Sequence, residues 1–252
     1  MNRNRRNVIV TLPGLVILGT YPALAQKFDI GGAIGAATDA TKAATLSDAE
    51  VRNYASQMAA LADKQAKIAP AGDKYAQRLT AITSGMTEDQ GLKLNYKVYL
   101  TKEVNAFAMA DGTIRLYSGL MDMMTDDELR YVIGHEMGHV KSGHTKKRMQ
   151  TALAASAAQK GVAASGTRAA GLADSQLGDL VVQVVRAQHS QGNEREADDY
   201  AMQFMSRRKY DRKACVTALE KLVKLSGGGG NNWLSTHPSP KERADRMRKQ
   251  LA

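Results

Sequence analysis

Apolar positions recur along this chain at two different spacings, and the spacing changes near residue 90 and again near residue 120. Ser47-Asp48-Ala49-Glu50 is a capping box that opens a helix running to about Ala69, where Pro70 and Gly72 interrupt it. A second helix follows over 74–83. The runs 92–100 and 104–110 are then rich in strand formers, and Asp111-Gly112 turns the second of them into a third over 113–117. Asp-Gly between such runs is a strong hairpin signal. Thr125-x-x-Glu128 is a second capping box, and its helix is expected to run from the mid-120s to the mid-140s, where Lys146, Lys147 and Arg148 suit the C-terminal end of the dipole. Further helices are expected over 149–160, 172–189, 194–208 and 212–225, and Ser239-Pro240-x-Glu242 opens a terminal one. The stretch 226–232 holds four consecutive Gly and reads as a loop. No internal repeat is visible. The pattern predicts an α+β fold: a mostly helical body with a small antiparallel sheet whose hairpin lies beside the second capped helix.

Composition narrows this to one domain with a small extension. With 252 residues and 43% hydrophobic content the chain can bury one core, and 5% aromatic residues with 12 Met suit helices better than a β-sandwich. Residues 1–7 carry Arg3, Arg5 and Arg6, residues 8–22 are apolar and uncharged, and Ala23-Leu24-Ala25 has the small-x-small form of a cleavage site. That is the three-part pattern of a secretory signal peptide. About 15 apolar residues broken by Pro13 and Gly14 fall short of the ~20 that span a bilayer, so cleavage is expected rather than anchoring. The expected layout is a signal peptide at 1–25, a Gly/Ala-rich arm at 26–46 and a catalytic domain at 47–252, exported to the periplasm. Cleavage removes three Arg and lowers the formal charge from +10 to +7. The basic residues alternate with acids, which predicts a solvated surface and no nucleic-acid partner. Cys215, the one cysteine, lies in the apolar run Ala214-Cys215-Val216 and reads as a buried, inert thiol.

The chemistry concentrates at His135-Glu136-Met137-Gly138-His139. Residues four apart share a helix face, so both imidazoles can reach one metal ion, and Glu136 can serve as general base toward a water. A catalytic zinc site needs a third protein ligand. A His ten positions after His135 would be one solution, but that position is Thr145, and His144 at nine positions points about 180° away at 100° per residue. His144 therefore reads as a surface residue at the helix end. The other solution is a carboxylate from a later helix, and Glu194-Arg195-Glu196-Ala197-Asp198 supplies it. Glu194 and Asp198 share a face while Glu196 points elsewhere. Coupled to the His pair, the constellation favours Glu194 as ligand, with Asp198 placed to orient one imidazole. His189 has no partner in the sequence and reads as structural. His237 leaves three roles open: a fourth zinc ligand, a partner of the tetrahedral intermediate, or a structural His-Pro anchor. The strand at 104–110, through Asn105, Ala106 and Ala108, could pair with an extended polypeptide.

These motifs resemble the gluzincin metallopeptidases grouped with HtpX and the CAAX prenyl proteases, and within that group the soluble periplasmic members of the LoiP and BepA type. The matching residues are VNAFAMADGTIRLYSGL at 104–120, DDELRYVIGHEMGHVKSG at 126–143, EREADDY at 194–200, and Thr236-His237-Pro238 with Arg243. The resemblance runs from about Ser47 to the C-terminus. It implies one zinc ion per chain, endopeptidase activity on polypeptides and the ligand set above. The function expected is hydrolysis of misfolded or misassembled exported proteins, with peripheral association to a membrane or to outer-membrane assembly machinery. A metal-stabilised periplasmic chaperone or assembly factor is the alternative. The intact Glu136 speaks against it, since a purely structural site has no use for a base.

Overall fold

Both capping boxes form, and each starts a helix that matters for the site. The computed structural model describes residue 43 and residues 45–160, 174–225 and 232–251. The leader, most of the arm and nearly all of the Gly-rich stretch lie outside the described residues. Helix α1 (Asp48–Gln65) begins with the Ser47–Glu50 box, in which Ser47 N–H donates to Glu50 at 2.9 Å. Helix α2 (Lys74–Ile82) follows, capped by Asp73, which accepts from Tyr75 N–H. Two short strands, β1 (Glu88–Asp89) and β2 (Leu92–Lys93), pair antiparallel.

The main sheet contains β3 (Asn95–Tyr99), β4 (Ala106–Ala108) and β5 (Thr113–Tyr117), in the order β3-β5-β4. The Asp111-Gly112 hairpin joins β4 to β5 antiparallel, with Ala106 opposite Leu116 and Ala108 opposite Ile114. The antiparallel hairpin forms as expected, but the sheet it belongs to is mixed. β3 pairs with β5 in parallel, Asn95 opposite Thr113 through Tyr99 opposite Tyr117. The intervening chain crosses over and places β4 at the edge. Strand periodicity carries no information on direction, which is why the sequence pattern missed it. The strand within 104–110 is also shorter than expected, leaving Asn105 just outside β4.

The sheet lies between two apolar layers. Val98, Ala106, Ala108, Ile114 and Leu116 face one cluster, while Tyr99, Phe107, Met109 and Tyr117 face the other. Alternate residues thus point to opposite sides, as the pleat requires, but both sides are buried. The first layer holds α3 (Ser118–Met123), α4 (Asp126–Lys141), α7 (Gln191–Arg207), α8 (Lys213–Lys224) and α10 (Pro240–Leu251). The second holds α1 with parts of α5 (His144–Lys160) and α6 (Asp174–Arg186), and a short α9 (Asn232–Thr236) stands beside the site. Cys215 is fully buried in the first layer, and burial pushes its thiol up to about 12, so it stays protonated and unreactive.

Helix α4 does not reach the mid-140s. It stops at Lys141, and Gly143 at φ +73° turns the chain before α5 starts at His144. That left-handed conformation favours Gly over other residues. Lys146, Lys147 and Arg148 therefore lie in the first turns of a new helix rather than at the C-terminal end of α4.

Candidate metal centre

Close packing of α4 on α7 assembles the site. Gly138 faces α7 so tightly that a Cβ there would stand 2.8 Å from the Ala197 backbone, and Gly134 similarly abuts Phe204. Two small residues four apart let the helix axes approach. The next face of α4, with His135 and His139, then meets Glu194 and Asp198 on α7.

His135, His139 and Glu194 are fully buried and converge with His237, their ligand-capable atoms all within 4.8 Å of one another. His135 Nε2 lies 3.1 Å from His139 Nε2 and 3.5 Å from one Glu194 oxygen, and the other Glu194 oxygen lies 3.2 Å from His139 Nε2. Donors held at zinc-ligand distances in a tetrahedron stand roughly 3.3 Å apart. The three separations are on that scale, with the carboxylate presenting one oxygen to each imidazole, as donors around a single ion would. Glu194 Oε1, Glu136 Oε1 and His237 Nε2 are buried without a hydrogen-bond partner among the described residues. Such atoms cost about 1–3 kcal/mol each when left unsatisfied, and a cation with its water would satisfy them together.

The charges around the group suit a cation. Burial alone would raise the Glu194 carboxyl, but His237, Arg243 and His135 hold it well below the usual carboxylate range. Burial pushes the His139 imidazole down to about 3, which keeps it neutral with a lone pair to offer. Glu136 is buried as well, and contact with His237, whose Nε2 is 3.4 Å from Glu136 Oε1, outweighs that burial and holds the carboxyl in its basic form.

Behind the first ring of side chains, His135 Nδ1 lies 3.0 Å from Asp198 Oδ1. Arg243 grips that carboxylate through Nε at 2.8 Å and Nη2 at 2.7 Å, and also donates to Glu194 and to the Tyr131 hydroxyl. Arg243 enters from α10, far away in sequence. Its place in the resemblance was the only hint of it, and Tyr131 gave no sequence signal beyond an apolar helical position.

Two histidines, His144 and His189, depart from their expected places, and a third, His237, gains a definite orientation. His144 is no surface residue: it is buried, with Nδ1 at 3.0 Å from His139 Nδ1. Helix α4 ends before His144, so the 100° per residue count does not apply across the turn at Gly143. Glu196 stays outside the metal-binding group but does not point idly away, since it bonds His144 Nε2 at 3.1 Å. His189 has partners after all: its ring stacks on His139 at 3.6 Å, and its backbone N–H donates to Thr236 O. His237 stacks on Trp233 at 4.3 Å, and its Nδ1 approaches Thr236 Oγ1 and Trp233 O, which turns Nε2 toward Glu136. Of the strand residues, Asn105 uses its side chain to accept from Ala106 N–H, while Ala106 and Ala108 lie in the edge strand.

A His-Glu-x-x-His helix packed between an edge strand and a second helix that brings a carboxylate defines the class of metallopeptidases. The chain belongs to Peptidase family M48, which it matches over residues 73–251. It is 44% identical to the metalloprotease LoiP of Escherichia coli (strain K12) over 228 residues, covering 90% of each chain. It is 40% identical to the metalloprotease YcaL of the same organism over 225 residues, 89% of each. The beta-barrel assembly-enhancing protease of that strain is 26% identical over 254 residues, which span 95% of this chain and 51% of that one. This is a metalloendopeptidase.

Proposed function

We propose that the metal is zinc, one ion per chain held by His135, His139 and Glu194, and that the enzyme cuts exported polypeptides that have misfolded or failed to assemble. The observation that carries this reading is the convergence of those three side chains with an unpartnered Glu136 oxygen, on a helix packed against the edge strand β4. Two imidazoles and one carboxylate suit zinc better than the oxygen-seeking magnesium or calcium. When bound, zinc supplies Lewis acidity that polarises the scissile carbonyl and makes a water a stronger acid. Glu136 takes the proton from that water and passes it to the leaving amine. Asp198 and Arg243 keep His135 oriented throughout.

The backbone of β4 supports the choice of substrate. Tyr117 N–H donates to Asn105 O and Met109 N–H to Thr113 O, so the odd-numbered residues pair with β5, and the Ala106 carbonyl and the backbone groups of Ala108 face the open edge, while Ala106 N–H is held by the Asn105 side chain. An extended peptide added there would be read through its main chain more than its side chains, as suits clients defined by unfolding. The leader-like N-terminus supports action in the periplasm, with peripheral association to a membrane or an assembly machinery. No helix among the described residues is long and apolar enough to cross a membrane.

Glu136→Gln should retain zinc and lose casein hydrolysis, because an amide cannot accept the proton. Appreciable turnover by the zinc-loaded variant would overturn the base assignment. A chelator should abolish wild-type activity. We assign His237 as a fourth ligand at rest, since its Nε2 shares the group and faces Glu136. His237→Ala should then raise basal hydrolysis with zinc retained, whereas collapse of activity would make it a partner of the transition state instead.

A further inference from the structure

We infer that His144 and Glu196 are positioning residues for His139, forming a hydrogen-bonded chain that selects which ring nitrogen of His139 is free to bind metal. The inference rests on the proposed metal centre. Neither residue belongs to the ligand group, and the sequence pattern turned both away from it.

With both imidazoles neutral, the direction of the chain follows from donor and acceptor chemistry. A carboxylate only accepts, so at 3.1 Å from Glu196 Oε2 the His144 Nε2 carries the proton. A neutral imidazole with its proton on Nε2 has a lone pair on Nδ1. That lone pair lies 3.0 Å from His139 Nδ1, which must therefore be the N–H. The lone pair of His139 then sits on Nε2, the atom that stands 3.1 Å from His135 Nε2 and 3.2 Å from Glu194 Oε1. Each proton placement forces the next. Without an acceptor at Nδ1, His139 can carry its proton on Nε2 instead, on the side where the metal must bind.

The backbone supports the contact. Lys141-Ser142-Gly143-His144 ends α4 and reverses at Gly143, which brings the first residue of α5 back over the last turn of α4. The two ends of the chain differ in exposure. His144 is 8% exposed at its side chain and Glu196 is 64% exposed, so the inner link should matter more than the outer one. Orienting partners of metal-bound histidines contribute about 10–100-fold in metal affinity.

The test compares two substitutions at one position. His144→Phe keeps the ring and removes both nitrogens. His144→Asn keeps an acceptor near the Nδ1 position. Zinc affinity is measured by competition with a chromophoric chelator, and the thermal midpoint of the metal-free protein is recorded alongside. His144→Phe should weaken zinc by about 10–100-fold with little change in the metal-free midpoint, and His144→Asn should recover most of the loss. In the metal-free wild type, imidazole nitrogen NMR should show His139 as the Nδ1–H tautomer, and that signature should be lost in His144→Phe. Undiminished zinc affinity in His144→Phe would overturn the inference. So would an Asn variant as weak as the Phe variant, since the loss would then be one of packing. Should His144→Phe fail to fold, Glu196→Leu on the exposed side carries the test, with a severalfold loss expected and no loss overturning the chain. Wild-type protein that binds zinc no better than His135→Ala would instead bring down the metal centre itself.

Discussion

His135 and His139 stand one turn apart on the same helix, yet what holds each of them is different in kind. Behind His135 is a closed, charged network: Asp198, the guanidinium of Arg243 and the Tyr131 hydroxyl, all buried. Behind His139 is a neutral ring, His144, leading out to a carboxylate in solvent. In both arrangements the partner sits at Nδ1, which leaves Nε2 facing the metal group. They differ in what happens when a member is lost. Inside the closed network a deletion strands a buried charge, while at the open end water can take the missing place. Sensitivity should therefore follow burial rather than distance from the metal group.

The largest effect is expected at Arg243. Arg243→Leu leaves the Glu194 and Asp198 carboxylates buried without their cation, and should destabilise the metal-free protein by about 3–5 kcal/mol in urea unfolding. Added zinc should restore part of this, since the ion brings positive charge to the same carboxylates. A loss below about 1 kcal/mol, the scale of a surface pair, would break the comparison. The same network predicts an acid limb. Despite its burial, Asp198 is held below its ordinary value by Arg243, so the unfolded chain binds its proton more readily than the folded one. The stability it contributes is present above the unfolded value of about 3.9 and is lost as pH falls below it. Metal-free wild type should lose unfolding free energy between pH 5 and pH 3, and Arg243→Leu should lose much less over that interval.

Asp198→Ala comes next, with zinc affinity reduced towards the upper end of the ~10–100-fold range. Unlike His144→Phe, it should also lower the metal-free thermal midpoint, because Arg243 loses its main partner. Equal midpoints in the two variants would show that the networks do not differ in kind. The smallest effect is expected from Glu196→Gln, which keeps an acceptor and removes only an exposed charge. Chelator competition should show a loss within about fivefold, the scale of surface electrostatics. A deficit matching that of Asp198→Ala would place the two sides on the same footing.

Much of this site was legible in the residues because its parts are local. His135, Glu136 and His139 lie within five positions, Glu194 and Asp198 share a helix face, and both capping boxes declare where their helices start. The Asp111-Gly112 hairpin and the buried Cys215 were legible for the same reason. Each of these features depends on contacts within one or two turns of chain, where spacing fixes geometry.

What the tertiary structure alone decided are the relations between elements. The parallel pairing of β3 with β5, the arrival of Arg243 from the last helix and the stacking of His189 on His139 depend on how helices and strands meet. The case of His144 is the most instructive. Helical periodicity sent it away from the site, and one left-handed residue, Gly143, brought it back. A periodic pattern assigns directions only while a helix continues, and here α4 stops short, so the side chains that support His139 were set by a turn and by the close approach of two helices at Gly138.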